Sequence, residues 1–103
     1  MQLTSLSVMV VEDHGFQRRV ALRLLQELGL TQLSEAGDGK SALAMLEQAD
    51  APPDVILVDL DLPEMDGIEF IGHVAARKLA RSVALTSALD PALLNTVQGM
   101  TRA

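Results

Sequence analysis

The chain has 103 residues, 49% of them hydrophobic, with a formal net charge of −6 and no cysteine, tryptophan or tyrosine. That length allows one domain, the acidic balance excludes the clustered basic surface that binding to nucleic-acid phosphates or an anionic membrane needs, and the lack of cysteine excludes a disulfide framework or a thiolate metal site. No apolar run reaches the length of a membrane span, and the opening MQLTSLSVMVVED carries no early positive charge and meets two acids, unlike a secretory signal, so the expected location is the cytoplasm.

With Phe16 and Phe70 as the only aromatic residues, the core has to be aliphatic, which suits the thin helix-on-sheet layers of an α/β domain. Ser7–Val11 (SVMVV) reads as a buried strand running into a polar Glu-Asp-His-Gly loop. From Phe16 to Leu28 the period becomes helical: Val20, Ala21, Leu24, Leu25 and Leu28 fall on one face, Arg18, Arg19, Arg23, Gln26 and Glu27 on the other, and Leu22 is the exception. Gly29 is the expected left-handed cap. A second strand is predicted over Gln32–Ala36, a turn at Gly37-Asp38-Gly39, and a helix over Lys40–Gln48 with Ala42, Leu43 and Leu46 inward; Ala-Pro-Pro (51–53) stops it. Val55–Val58 is the most apolar strand and ends at Asp59. A third helix follows over Gly67–Ala76, then a fourth strand over Ser82–Leu85 ending in Thr86-Ser87. Asp90-Pro91 is an N-cap followed by proline at the first helical position and opens a fourth helix reaching about Gly99. Strands alternating with helices imply a parallel sheet with right-handed crossovers.

Sites in open parallel sheets form at the carboxyl ends of the strands. Here the first strand ends at Glu12-Asp13, the third at Asp59 and the fourth at Thr86-Ser87, three segments remote in sequence that converge at one edge. Crowded carboxylates repel one another; a divalent cation relieves that repulsion, and hard oxygen ligands favour Mg²⁺ or Ca²⁺. A carboxylate at the centre of such a pocket can act as nucleophile in phosphoryl transfer, and Thr86 is placed to bond a phosphoryl oxygen.

The stretches VVED (10–13), EAGDGKSAL (35–43), PDVILVDLDLPEMDG (53–67) and ALTS (84–87) resemble, in order and spacing, those of response-regulator receiver domains, the phospho-accepting modules of bacterial two-component signalling. The resemblance spans nearly the whole chain. It implies a doubly wound, flavodoxin-like sheet of order 2-1-3-4, Asp59 as phosphoacceptor, and Mg²⁺ held by Asp13, Asp59 and the backbone carbonyl of Asp61, with Glu12 acting mainly through water. It further implies Thr86 as the switch hydroxyl, a loop shaped by Pro63 and Gly67, a sensor histidine kinase as phosphodonor, and an output domain or partner protein as target. The family pattern continues into a fifth strand and helix with a lysine that pairs with the phosphoryl group. Lys40 and Lys78, the only lysines, both precede Thr86, so residues 1–103 read as a single, C-terminally truncated receiver. Truncation would leave the fourth strand as an open edge, from which self-association as a dimer through the fourth strand or helix is expected. The patterns E-D-x-x-F-Q-R (12–18) and S-x-x-D-P (87–91) also resemble receivers that precede EAL-type cyclic-di-GMP phosphodiesterases.

Two other functions compete. VILVDLD satisfies the Asp-x-Asp signature of haloacid-dehalogenase phosphatases, but that family needs a lysine and further acids downstream, and Glu12-Asp13 would have no task in it. A pseudo-receiver that only binds partners would fit the absent lysine but not the intact acid cluster. Among the remaining polar residues, Asp66 reads as a helix cap, Asp38 as a turn residue, His14 and His73 as surface histidines, and Arg18, Arg19 and Arg23 as a solvated helix face.

Overall fold

In a computed structural model of the chain, residues 5–62 and 65–86 are described. Pro63, Ser87 and the fourth helix expected from Asp90 to Gly99 lie outside them. The elements are β1 (Ser7–Val11), α1 (Gly15–Glu27), β2 (Gln32–Ala36), α2 (Gly39–Gln48), β3 (Val55–Asp59), α3 (Gly67–Arg77) and β4 (Ser82–Thr86). All four strands are parallel, in the order β2-β1-β3-β4, as the sequence predicts.

The sheet is covered on two sides because β1 and β3 are apolar on both faces. Met9, Val11, Ile56 and Val58 point to one face, where Ala42, Leu43 and Leu46 of α2 and Phe70 and Val74 of α3 complete a dry core. Val8 and Val10 point to the other, beneath α1. Phe70, Ile56, Val58, Val11 and Ala42 of the first core are 0% exposed, so this layer contributes the greater share of the apolar area removed from water. Arg77 of α3 is ion-paired with Glu47 of α2, which ties the two helices of this layer together at the surface.

The helix ends follow their caps. Asp66 accepts a hydrogen bond from the Glu69 amide at 2.7 Å, as its position before α3 predicts. Asp38 does more than turn the chain: it is the N-cap of α2 and accepts from the Ser41 amide at 2.6 Å. Those bonds hold its carboxyl below the usual aspartate range. Gly29 has φ 96° and closes α1, with the Leu30 amide bonded to Leu25 O at 3.1 Å.

The inward face of α1 differs from the predicted one. Ala21, Leu22 and Leu25 pack against the sheet, whereas Val20, Leu24 and Leu28 are 42–62% exposed and Phe16 is 72% exposed. The apolar arc of this helix is wider than its contact with the sheet. The helix is turned so that Leu22, the apparent exception, faces inward, and the row 16-20-24-28 stands on the adjoining arc.

Candidate metal centre and phosphoacceptor site

Strand order reverses between β1 and β3, and the carboxyl ends of these strands are where sites of open parallel sheets form. Register fixes what meets there. Val11 lies opposite Val58, so Glu12 and Asp59 are the next residues along their strands and become neighbours. Asp59 is in turn opposite Thr86 of β4. The role expected of the Thr86 hydroxyl falls outside what the structure describes.

Ligand atoms of Glu12, Asp13, His14 and Asp59 all lie within 4.8 Å of one another. Glu12 is 6% exposed and Asp59 8%, while the side chains of Asp13 and His14 are 30% and 61% exposed, so the cluster is walled by protein on one side and open on the other. The Asp61 amide donates to Asp59 Oδ1 at 3.2 Å. Asp61 itself is exposed. Buried Glu12 Oε2 and Asp13 Oδ1 have no hydrogen-bond partner among the described residues. His14 Nδ1 approaches Asp13 Oδ1 to 3.2 Å and Glu12 Oε2 to 3.9 Å but is not aligned to donate to either.

Burial, followed by a shared hydrogen bond and charge repulsion with Asp59, pushes the Glu12 carboxyl up to about 7 from its ordinary 4.5. Three carboxyl groups and two orphaned buried oxygens are a donor set with an excess of negative charge and a shortage of donors, and a hard divalent cation would satisfy both.

Two features hold the walls in place. Gly67 approaches the acceptor strand so closely that a Cβ on it would lie 2.6 Å from Asp59 O and 2.8 Å from Leu60 Cα; its amide bonds Leu60 O at 3.0 Å. Glycine is therefore a steric requirement of the loop after Asp59. Arg18 departs from the solvated helix face expected for it. Its Nη1 donates to the Glu12 carbonyl at 2.7 Å and its Nε to Glu35 Oε1 at 3.0 Å, and the side chain is 22% exposed. It clamps the β1–α1 turn to the end of β2. The Glu12 amide bonds Ala36 O at 3.1 Å, so the cluster's first acid is fixed from both its amide and its carbonyl.

A doubly wound parallel sheet with a carboxylate cluster at its switch point defines a flavodoxin-like α/β domain. The model of the response regulator receiver domain family matches residues 8–99, and the chain belongs to that family, the receiver domains of two-component signalling. It is 38% identical over 91 residues to the cyclic di-GMP phosphodiesterase RocR of Pseudomonas aeruginosa, covering 88% of this chain and 23% of that protein. It is 33% identical over 72 residues to the chemotaxis protein CheY-3 of Vibrio cholerae, covering 70% of this chain and 54% of that protein. The chain thus spans less than a quarter of the first relative and about half of the second. Among solved structures, a Francisella response regulator receiver domain superposes with a TM-score of 0.72 at 27% identity, over 94% of this chain and 77% of that one. No helix among the described residues is long and apolar enough to cross a membrane.

Proposed function

We propose that this domain is a Mg²⁺-dependent phospho-accepting switch in which Asp59 takes a phosphoryl group from a sensor histidine kinase or a small phosphodonor. The observation that carries this reading is the placement of Asp59 at a strand end beside Glu12 and Asp13, with buried oxygens that no group among the described residues satisfies. Glu12, Asp13, Asp59 and the Asp61 carbonyl would hold the cation, which supplies charge neutralisation for the incoming phosphoryl oxygens. The Asp61 amide bonds Oδ1 of Asp59, and a carboxylate oxygen of Asp59 attacks phosphorus. The bond from phosphorus to the donor's nitrogen or oxygen breaks, its electron pair leaves with the donor, and the product is the mixed anhydride of Asp59. Thr86, opposite Asp59 in register, is the residue we assign to the phosphoryl oxygen as switch hydroxyl.

We further propose a cytoplasmic location and an output domain or partner protein as the target of the switch. RocR, named as a cyclic di-GMP phosphodiesterase, makes control of cyclic-di-GMP hydrolysis the favoured output. The haloacid-dehalogenase alternative gains nothing from the geometry, because it gives Glu12 and Asp13 no task. Incubation with acetyl phosphate, with and without Mg²⁺, followed by intact-mass measurement tests the assignment. One phosphoryl group should be added only with the cation and not to Asp59→Asn; cation-independent modification would refute it.

A further inference from the structure

Arg18 is bonded on both sides of Asp13. Its amide donates to the His14 carbonyl at 2.9 Å, and its Nη1 donates to the Glu12 carbonyl at 2.7 Å. The Glu12 carbonyl lies in the same peptide plane as the Asp13 amide, so a bond to it sets the plane from which the Asp13 side chain leaves the backbone. That matters because Asp13 Oδ1 has no hydrogen-bond partner among the described residues: its direction comes from the backbone. The guanidinium is held in turn from β2. Its Nε donates to Glu35 Oε1 at 3.0 Å, and Nη1 lies against the β2–α2 turn, where a Cβ on Gly37 would sit 3.5 Å away. A planar guanidinium can make both bonds at once in fixed geometry; an ammonium offers no such fork. Arg23 of the same helix is different, 82% exposed and paired with Glu27 one turn on.

We infer that Arg18 is a positioning residue for the cation site: through the Glu12 and His14 carbonyls it fixes the direction of the Asp13 carboxylate, and Glu35 holds Arg18 in that role. The inference rests on the reading of the acid cluster as a Mg²⁺ site and adds to it two residues outside the cluster that set its affinity. Ordering Asp13 before the ion arrives removes that entropy cost from binding. Position and charge act in opposite directions here, since a guanidinium near the cluster repels a cation while its bonds aim a ligand at it. Arg18→Lys separates the two, keeping the charge and losing the fork.

The test is calorimetric titration with Mg²⁺ of the unaltered protein, Arg18→Lys, Arg18→Met, Glu35→Gln, the double variant Arg18→Met/Glu35→Gln, and Arg23→Met as control, with circular dichroism to check folding. Mg²⁺ affinity should fall roughly tenfold in Arg18→Lys, the scale of losing a group that orients a metal ligand. Arg18→Met should lose less, because removing the nearby positive charge offsets part of the fall. Glu35→Gln should weaken binding in the unaltered background and add nothing in the Arg18→Met background, and Arg23→Met should bind as the unaltered protein does. A merely structural role would lower the unfolding midpoint and leave the affinity of the folded variants in place. Glu35 is 52% exposed, so Glu35→Gln keeps the test decisive if an Arg18 variant folds poorly. Unchanged affinity in Arg18→Lys, or an equal effect of Glu35→Gln in both backgrounds, overturns the inference and leaves the Mg²⁺ reading standing. No Mg²⁺ binding by the unaltered protein overturns that reading and the inference with it.

Discussion

Replacing Glu12 by glutamine separates the electrostatic cost of the acid cluster from its packing. Glu12 titrates near 7 in the fold and near 4.5 when unfolded, so between those values the folded state binds more protons. Stability must then fall as pH rises from about 4.5 through 7, and the full penalty is present above 7. Its ceiling is about 3 kcal/mol, from 1.36 kcal/mol per tenfold change in proton affinity. Glu12→Gln has nearly the same volume and carries no charge. Without divalent metal it should stabilise the domain by about 1–3 kcal/mol at pH 8 and leave it nearly unchanged at pH 4.5. Urea unfolding followed by far-UV circular dichroism is the assay, since the chain has no Trp or Tyr for fluorescence. Adding Mg²⁺ at pH 8 should raise the stability of the unaltered protein and do much less for the variant. A variant that is destabilised at pH 8, or whose difference from the parent is the same at both pH values, would refute the reasoning.

Asp13→Asn should weaken Mg²⁺ binding at neutral pH in a calorimetric titration, because it removes one charge from the open side of the cluster; undiminished affinity would take Asp13 out of the ligand set. Gly67→Ala should cost about 1–3 kcal/mol in urea unfolding, since the added methyl meets backbone atoms that cannot turn aside. Arg18→Met keeps the apolar stem but loses the bonds to the Glu12 carbonyl and Glu35; a loss of about 1–2 kcal/mol is expected, with shifted amide resonances for residues 12–14. Among the described residues β4 has a strand on one side only, and Leu85 within it is 42% exposed. We expect the chain to self-associate through this margin, measured by light scattering over a concentration series; a monomer throughout would remove that expectation.

The fold was legible because each change of period in the sequence marks a change of element. Alternation between short apolar runs and helical stripes, punctuated by Gly29, Pro52-Pro53 and Asp66, is enough to place four strands and three helices. Within helix α1 the pattern could not choose which part of a broad apolar arc meets the sheet, since that depends on the placement of β1 and β3 beneath it. The acids of the site were legible for a different reason: charge at the end of an apolar strand is costly without a partner, and so Glu12, Asp13 and Asp59 announce one another. Arg18 was not legible, because its partners Glu12 and Glu35 are brought to it by the β1–β2 pairing and not by helical spacing. His14 was read as a surface residue, and it is exposed; only the turn of its ring over Asp13 distinguishes it. Asp38 carried a signal in the sequence, an aspartate just before a helical run with serine three residues on, which is the pattern of an N-cap.

Reductive trapping tests the central claim most directly. Treating the domain with acetyl phosphate and Mg²⁺, then with borohydride, converts an aspartyl phosphate to homoserine at the residue that carried it. The account predicts a single conversion, at Asp59, lost when Mg²⁺ is omitted and absent from Asp59→Asn. Conversion at Asp13, Asp61 or another carboxylate in the unaltered protein, or none at all at Asp59 under conditions where Mg²⁺ binds, would contradict it.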